Sequence, residues 1–462
     1  MILAFLLPIL TGGLLVHLLW PEHGVRFLVF KAFLGIGIGL GINSLSYFLY
    51  MSFFAGQHWF AAVQVAEFLL VLASVVWQER RRAGAWWPRW SLAGTSRVQY
   101  AFLGLSAIIF LISLASTASY ILRRRQGDWD AWMMYNRAAR FVYRDQSNWL
   151  GSFSSQIDPI FHADYPLFLA MNIASGWDTL HSETPRVPMV QSALFAVACA
   201  GLFVSALVCM KSVGQAAFGL IIFWGTPAVV NEGARELADL PLAYFFLATV
   251  ILIYLYVIHR KPGLLILAGV TAGLAAWAKN EGSVFVIAAA VALVFAFLRE
   301  KPWRLLPWYG LGLVVPFCIV LYFKLVLAPP SDVLSNGPAR SLAQALEISR
   351  HLEILRYFGH ELVVFGGWRL PTLPVGMIVV LLVYLLLTRS PLTKEYRQMI
   401  TAAIVLLAVQ LLGYYAVYVI TPYDLTWHLT YSIERIFLQV FPLIAFVIMM
   451  ATQTPEIIFS DN

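Results

Sequence analysis

Apolar residues run through this chain in long, nearly uninterrupted stretches, and polar residues collect in the segments between them. Stretches of this length cross a bilayer as helices, because backbone groups in hydrocarbon must bond within their own segment. They lie near residues 2 to 20, 27 to 54, 58 to 78, 99 to 121, 188 to 210, 214 to 230, 240 to 258, 263 to 278, 282 to 298, 304 to 327, 371 to 388, 399 to 421 and 436 to 452. The pattern predicts an all-α polytopic membrane protein with about thirteen spans. Met1 is followed by no basic stretch, and no small-residue cleavage site precedes Trp20, so the first span reads as a retained helix.

Composition agrees: 60% of the 462 residues are hydrophobic and only 12% charged, with a mean hydropathy of +0.77. The net charge of +7 is read as membrane topology and calls for no nucleic-acid partner. Cys199, Cys209 and Cys318 fall inside spans and give no disulfide framework.

Lysine and arginine set the orientation. The segment from Gln78 to Arg97, the turn His259-Arg260-Lys261, the turn from Arg299 to Arg304 and the loop from Thr388 to Arg397 are basic, and alternating spans put them all on one side. That side is expected to be cytoplasmic, with the N-terminus outside and the C-terminus inside a bacterial cell (inner) membrane. The opposite short loops then hold three isolated cations, Arg235, Lys279 and Arg435.

Two long outer segments are expected, near 122 to 187 and 328 to 370. In the first, Trp132, Tyr135, Ala139 and Val142 share one helical face and Arg137, Arg140 and Arg144 another. This predicts a helix in the membrane interface with its basic side toward headgroups. The second, after Pro329-Pro330, carries Arg340, Glu347, Arg350, Glu353 and Arg356 on a similar candidate helix. No repeat period appears.

The carboxylates are one-sided. Asp128, Asp130, Asp158, Asp164, Glu232, Glu236, Asp239, Glu281 and Asp424 map to outer loops or outer helix ends, with His162 and His428. Transfer of a sugar from a polyprenyl phosphate needs such a set: a carboxylate to take the proton of an acceptor hydroxyl, and cations or a metal to stabilise the departing phosphate. Asp128 and Asp130 suit the first task; Arg123 to Arg125, Lys279 and Arg435 suit the second. A membrane-borne donor needs no nucleotide site, and no Gly-rich phosphate loop is present.

His162-Ala163-Asp164 before Tyr165-Pro166-Leu167, Asp239-Leu240-Pro241 ahead of Tyr244-Phe245-Phe246, and Ala278-Lys279-Asn280-Glu281-Gly282 follow one another along the chain. Their order resembles that of the GT-C integral-membrane glycosyltransferases, the group with the aminoarabinose transferases and the protein O-mannosyltransferases. The resemblance covers roughly residues 99 to 327. It implies a core there, including the outer loop 122 to 187; the three-helix extension over 1 to 98 that precedes it departs from the family pattern, and an outer loop and closing helices follow over 328 to 462. It implies a general base at Asp130 or Asp128, donor or metal support from Asp239, and contact with the lipid phosphate from Lys279. Tyr165, Asp164 and Glu281 fall in the matching motifs and are taken as substrate contacts. So are His428 and Arg435, because Tyr423-Asp424-Leu425-Thr426-Trp427-His428 with Arg435 resembles the closing outer segment of bacterial members. The acids here are spaced Asp-Trp-Asp where better-known members have adjacent Asp-Glu, which leaves the choice of base open. Asp130 is preferred because it begins the expected helix, whose free N–H groups favour a carboxylate.

The expected activity is inverting transfer of a hexosyl or pentosyl group to a hydroxyl of a glycan, lipid or protein acceptor, among membrane lipids. A divalent ion, magnesium or manganese, held by Asp128 or Asp239 is the cofactor this leaves open. Each residue also has a plainer reading. Asp130 is a preferred helix-capping residue, Arg123 to Arg125 anchor a span at headgroups, His162 and His428 sit among aromatics as hydrogen-bonded structural residues, and Lys31 and Glu67 pair between early helices. The alternative function is a transporter or flippase of a lipid-linked saccharide, which would place its polar residues near the bilayer midplane in two related halves.

Overall fold

The computed structural model describes residues 2–81, 97–154, 156–331, 333, 337–367, 376–391 and 393–459. Most of the basic segment between Gln78 and Arg97 lies outside the described residues. The chain is built from helices α1 (Ile2–Leu19), α2 (Val25–Phe54), α3 (Phe60–Arg80), α4 (Arg97–Arg123), α5 (Asn136–Arg144), α6 (Phe168–Leu180), α7 (Arg186–Met210), α8 (Val213–Trp224), α9 (Pro227–Glu232), α10 (Asp239–His259), α11 (Pro262–Ala278), α12 (Glu281–Ala296), α13 (Leu306–Tyr322), α14 (Gly337–Ala345), α15 (Ile348–Val364), α16 (Met377–Thr388), α17 (Lys394–Ile420), α18 (Leu425–Ala451) and α19 (Pro455–Ile458). Among the described residues, eight helices are long and apolar enough to cross a membrane: α2, α3, α4, α7, α10, α13, α17 and α18. Five shorter apolar helices, α1, α8, α11, α12 and α16, fill the remaining apolar segments.

The bundle is centred on α10, which is buried along nearly its whole length and packs on α7, α11, α17 and α18. Lipid supplies little apolar driving force between helices, so close packing falls to small residues. A Cβ on Gly12 would overlap the carbonyl oxygen of Gly35, and one on Gly39 that of Pro8, so α1 and α2 meet backbone to backbone. α11 and α13 meet the same way through Gly269 and Gly312.

Both ends of the bundle are tied. At one end Glu300 accepts from Arg260 (2.6 Å), Gln398 (2.9 Å) and Lys394 (3.3 Å), and Glu456 accepts from Gln99 (2.7 Å) and Ser212 (2.9 Å). These contacts gather loops that alternating spans place on one side. The opposite end gathers the loops richest in acids.

Three expectations change in the structure. The segment 122 to 187 is no surface loop throughout, because α6 is buried from Phe168 to Asp178 inside the bundle. Its polar residues find partners there: Asn43 Nδ2 donates to Asn172 Oδ1 and Ser175 Oγ, both at 2.9 Å, and Gln64 donates to Asn43 at 2.6 Å. The last span begins at Leu425 rather than near 436, capped by Asp424, whose side chain accepts from Trp427 N at 2.8 Å. Lys31 and Glu67 do not pair with each other: Glu67 accepts from Ser46 at 2.5 Å, and Lys31 reaches His17 and the carbonyl of Glu22.

Candidate functional site

The expected interfacial helix opens as a π-helical turn, Ala131–Tyr135, and continues as α5. Tyr135, Ala139 and Val142 are buried as their spacing predicts, but Trp132 is 42% exposed. The basic face turns to protein rather than to headgroups. Arg140 and Arg144 both bind Glu183, at 2.8 and 2.6 Å, and Arg137 donates to the carbonyl of Met133 and stacks over Phe161.

Asp130 begins this element without capping it. Its Oδ2 instead accepts from Arg435 Nη1 at 2.6 Å, while Asp130 Oδ1 carries no hydrogen bond among the described residues. Arg435 sits on α18, ten residues beyond its first, so the earlier helix start moves this cation from a loop into the wall of the bundle. Its other nitrogens, Nε and Nη2, hold Asp239 Oδ2 at 3.0 and 2.7 Å. Asp239, the first residue of α10, is completely buried. Its Oδ1 accepts from Lys279 at 2.8 Å and from Gln439, one turn beyond Arg435, at 2.5 Å. Lys279, in the break between α11 and α12, also binds Glu281 at 3.0 Å. The structure thus joins Asp130, Asp239, Lys279, Glu281 and Arg435 in one charged network.

Asp128 stands beside it. Its Oδ2 binds Arg235 at 2.8 Å and lies 3.9 Å from Arg124, and its Oδ1 accepts from Trp129 N at 2.9 Å. Partial burial works to raise this carboxyl, but the Trp129 N–H and the Arg235 and Arg124 guanidiniums outweigh it and hold it below the usual range. Arg235 also binds Glu232 at 3.0 Å. Each of the three cations expected in the outer short loops therefore meets acids: Arg235 with Asp128 and Glu232, Lys279 with Asp239 and Glu281, Arg435 with Asp130 and Asp239.

A cavity of about 320 Å³ opens beside the network, lined by Arg124, Arg235 and Arg435 with Asp128, Glu232 and Glu434 among its polar walls. Tyr120, Asn231 and Leu438 complete much of the rest. Arg435 is shared: it neutralises Asp130 and Asp239 and also faces the cavity. Glu232 is buried and its Oε1 has no hydrogen-bond partner among the described residues; burial and the nearby Asp239 raise its carboxyl despite Arg235.

The remaining candidates lie further out. Asp164 accepts from Asn280 at 3.1 Å and lies 3.6 Å from Lys324, whose ammonium also reaches the Asp164 carbonyl. This ties the first loop to the Lys279 turn. Tyr165 stacks on His162 with ring centroids 4.6 Å apart. His428 lies seven residues before Arg435 on α18, bonded to Thr421 Oγ1 at 2.9 Å and set between Tyr418 and Tyr423; the structure does not bring it into the network.

Asp239 does not fit as a metal ligand in this arrangement, since both oxygens are occupied by Lys279, Gln439 and Arg435. Asp128 is likewise committed to Arg235 and Trp129 N. Gln439, Asn280, Lys324 and the cavity-facing Glu434 join the site without a role marked in the sequence. Gln439 was findable, because it lies at i+4 from Arg435 and shares its helix face. Comparison with known protein families, with curated proteins and with solved structures finds no match to this chain.

Proposed function

We propose that this chain is a membrane-embedded, inverting glycosyltransferase that moves a sugar from a polyprenyl-phosphate donor to an acceptor hydroxyl. The end of the bundle bearing Asp130 and Arg435 faces the outside of the cell (inner) membrane, and the basic loops face the cytoplasm. The observation that carries this reading is the double role of Arg435: one guanidinium joins the Asp130–Asp239 cluster to a cavity walled by two more arginines.

A phosphate that loses its sugar gains negative charge, and three guanidiniums converging on one cavity stabilise that charge as it develops. Arg124, Arg235 and Arg435 hold the donor phosphate there. Asp130 is fixed by Arg435 through Oδ2 and keeps Oδ1 open, as a base requires. The acceptor hydroxyl gives its proton to Oδ1 while its oxygen bonds to the anomeric carbon. The bond from that carbon to the phosphate oxygen breaks, and the polyprenyl phosphate leaves with the electron pair toward the arginines. Buried Asp239 and Lys279 hold Arg435 in place from behind. Asp164 and Tyr165 shape the acceptor side through the Asn280 turn.

Purified protein should release polyprenyl phosphate from a suitable glycosyl donor, and Asp130→Asn should abolish release while the variant still elutes and melts as wild type. Substantial activity in that variant would overturn the assignment of the base. Movement of an intact donor between leaflets, with its sugar–phosphate bond unbroken, would instead favour a flippase.

A further inference from the structure

The first three helices take no part in the proposed transfer, yet a separate cluster joins two of them at the end of the bundle away from the network. His17 stands in the last turn of α1, His23 in the link to α2, and Glu79 near the end of α3. His17 Nε2 lies 3.0 Å from Glu79 Oε1, and His23 Nε2 lies 3.4 Å from Glu79 Oε2. The three ligand atoms all fall within 4.8 Å of one another. The Glu79 side chain is only 2% exposed, whereas that of His23 is 46% exposed.

We propose that His17, His23 and Glu79 form a binding site for a divalent transition-metal ion of the zinc class. Two imidazoles and one carboxylate are the ligand types that zinc takes, at about 2.0 to 2.2 Å. Ligand atoms in a tetrahedron of that size stand about 3.3 Å apart; each imidazole lies near that distance from one of the two Glu79 oxygens, and one atom from each residue lies within 4.8 Å of the others, so a small side-chain adjustment forms the set. His23 gives a solvent path, and a fourth position is left for water. Such an ion clamps the end of α3 to the link between α1 and α2, across residues 62 positions apart.

Lys31 sets a condition on binding. Its ammonium contacts His17 Nδ1 at 3.1 Å and the carbonyl oxygen of Glu22 at 2.6 Å. When Nε2 holds the metal, the imidazole proton resides on Nδ1, so Lys31 must release His17 and keep Glu22. The lysine therefore weakens the site without blocking it.

The test uses tag-free, full-length protein in detergent, stripped with a chelator, reloaded with zinc and analysed for bound metal and melting temperature. Wild type should retain stoichiometric zinc and melt higher with it. His23→Ala, a change at an exposed side chain, should lose at least about tenfold in zinc affinity along with the thermal shift. Glu79→Gln should do the same, while Lys31→Met should bind zinc at least as tightly as wild type. Adventitious binding by surface histidines would give weak zinc in all variants with no thermal shift. That result, or wild type that takes up no zinc, would overturn the proposal.

Discussion

Arg435 Nη1 stands 2.6 Å from Asp130 Oδ2, joining residues 305 positions apart, and the same guanidinium holds the completely buried Asp239. Removing one partner of a buried ion pair leaves a charge without compensation, which costs about 3 to 5 kcal/mol. Asp239 keeps Lys279 and Gln439 when Arg435 is gone, so Arg435→Met should lower the unfolding free energy by less than that, about 1 to 3 kcal/mol. Adding Asp239→Asn should recover part of the loss, since Lys279 then no longer has to balance both Asp239 and Glu281. Thermal unfolding of the single and double variants in detergent checks both. A single variant that melts like wild type would show that Arg435 does not neutralise Asp239.

Asp128 and Asp130 should separate kinetically. Asp130 bonds Arg435 through one oxygen, whereas both oxygens of Asp128, which lines the cavity, are bonded, one of them to Arg235. Loss of a general base costs about 10² to 10⁴ in rate, and Asp130→Asn should show it in kcat. Asp128→Asn leaves Arg235 held by Glu232 alone of its two acids and should act chiefly on KM for the donor. Steady-state kinetics of the two variants decides the assignment, and the reverse pattern would make Asp128 the base.

Glu236 should make stability depend on pH. It is buried, holds a left-handed backbone (φ 60°), and neither carboxylate oxygen has a hydrogen-bond partner among the described residues. The Asn136 amide is nearby but outside hydrogen-bonding geometry. Burial pushes the carboxyl from an ordinary 4.5 to about 8. The folded chain thus holds this proton more tightly than the unfolded chain. The favourable protonated state is intact below the ordinary value, and stability falls as pH rises toward about 8, by at most about 1.4 kcal/mol per pH unit. Glu236→Gln should flatten this slope and leave the variant the more stable at alkaline pH. Melting curves across that interval measure it; parallel slopes for the two proteins would contradict the assignment.

Orientation is open to labelling. In a background without Cys199, Cys209 and Cys318, a cysteine at Ser154 should react with an impermeant reagent added outside intact cells. One at Lys394, which is 75% exposed at the opposite end, should react only after permeabilisation. The opposite result would turn the proposed site toward the cytoplasm.

Among the described residues, eight apolar stretches are helices long enough to cross a membrane and five shorter ones are helical too, because a long apolar run that excludes water can satisfy its backbone only within itself. That much of the fold was legible from hydropathy alone. α6 was not, since Asn172 and Ser175 read as loop residues until Asn43 of α2, itself held by Gln64 of α3, comes within bonding distance. The first turns of α18 were hidden in the same way by Thr426, His428, Thr430 and Ser432. Of the site, the residues and their common face were readable, but their pairing was not. Nothing local to Asp130 indicates Arg435 as its partner, and the plainer reading as a helix cap follows every local rule. Paired charges in a low-dielectric interior are chosen by the fold that brings them together, and sequence spacing carries no record of it.

Gly127 positions Asp128 through its backbone. It adopts φ 71°, and Asp128 N then donates to the carbonyl of Arg235 at 3.1 Å. A Cβ here would fall 2.5 Å from that same carbonyl oxygen, 2.6 Å from Ala131 Cβ and 2.8 Å from Glu236 Cβ. Two of these three atoms are a backbone oxygen and the Cβ of a residue with its own left-handed conformation, so neither yields without moving the 235–236 turn. Gly127→Ala should cost about 1 to 3 kcal/mol from the left-handed backbone and the overlap together. It should also pull Asp128 away from Arg235, which lines the cavity, and so weaken donor binding more than Asp128→Asn alone. Melting temperature and donor KM, measured on Gly127→Ala beside Asp128→Asn, separate the two effects. A variant with wild-type stability and wild-type KM would show that the turn tolerates a side chain and that Asp128 does not depend on it.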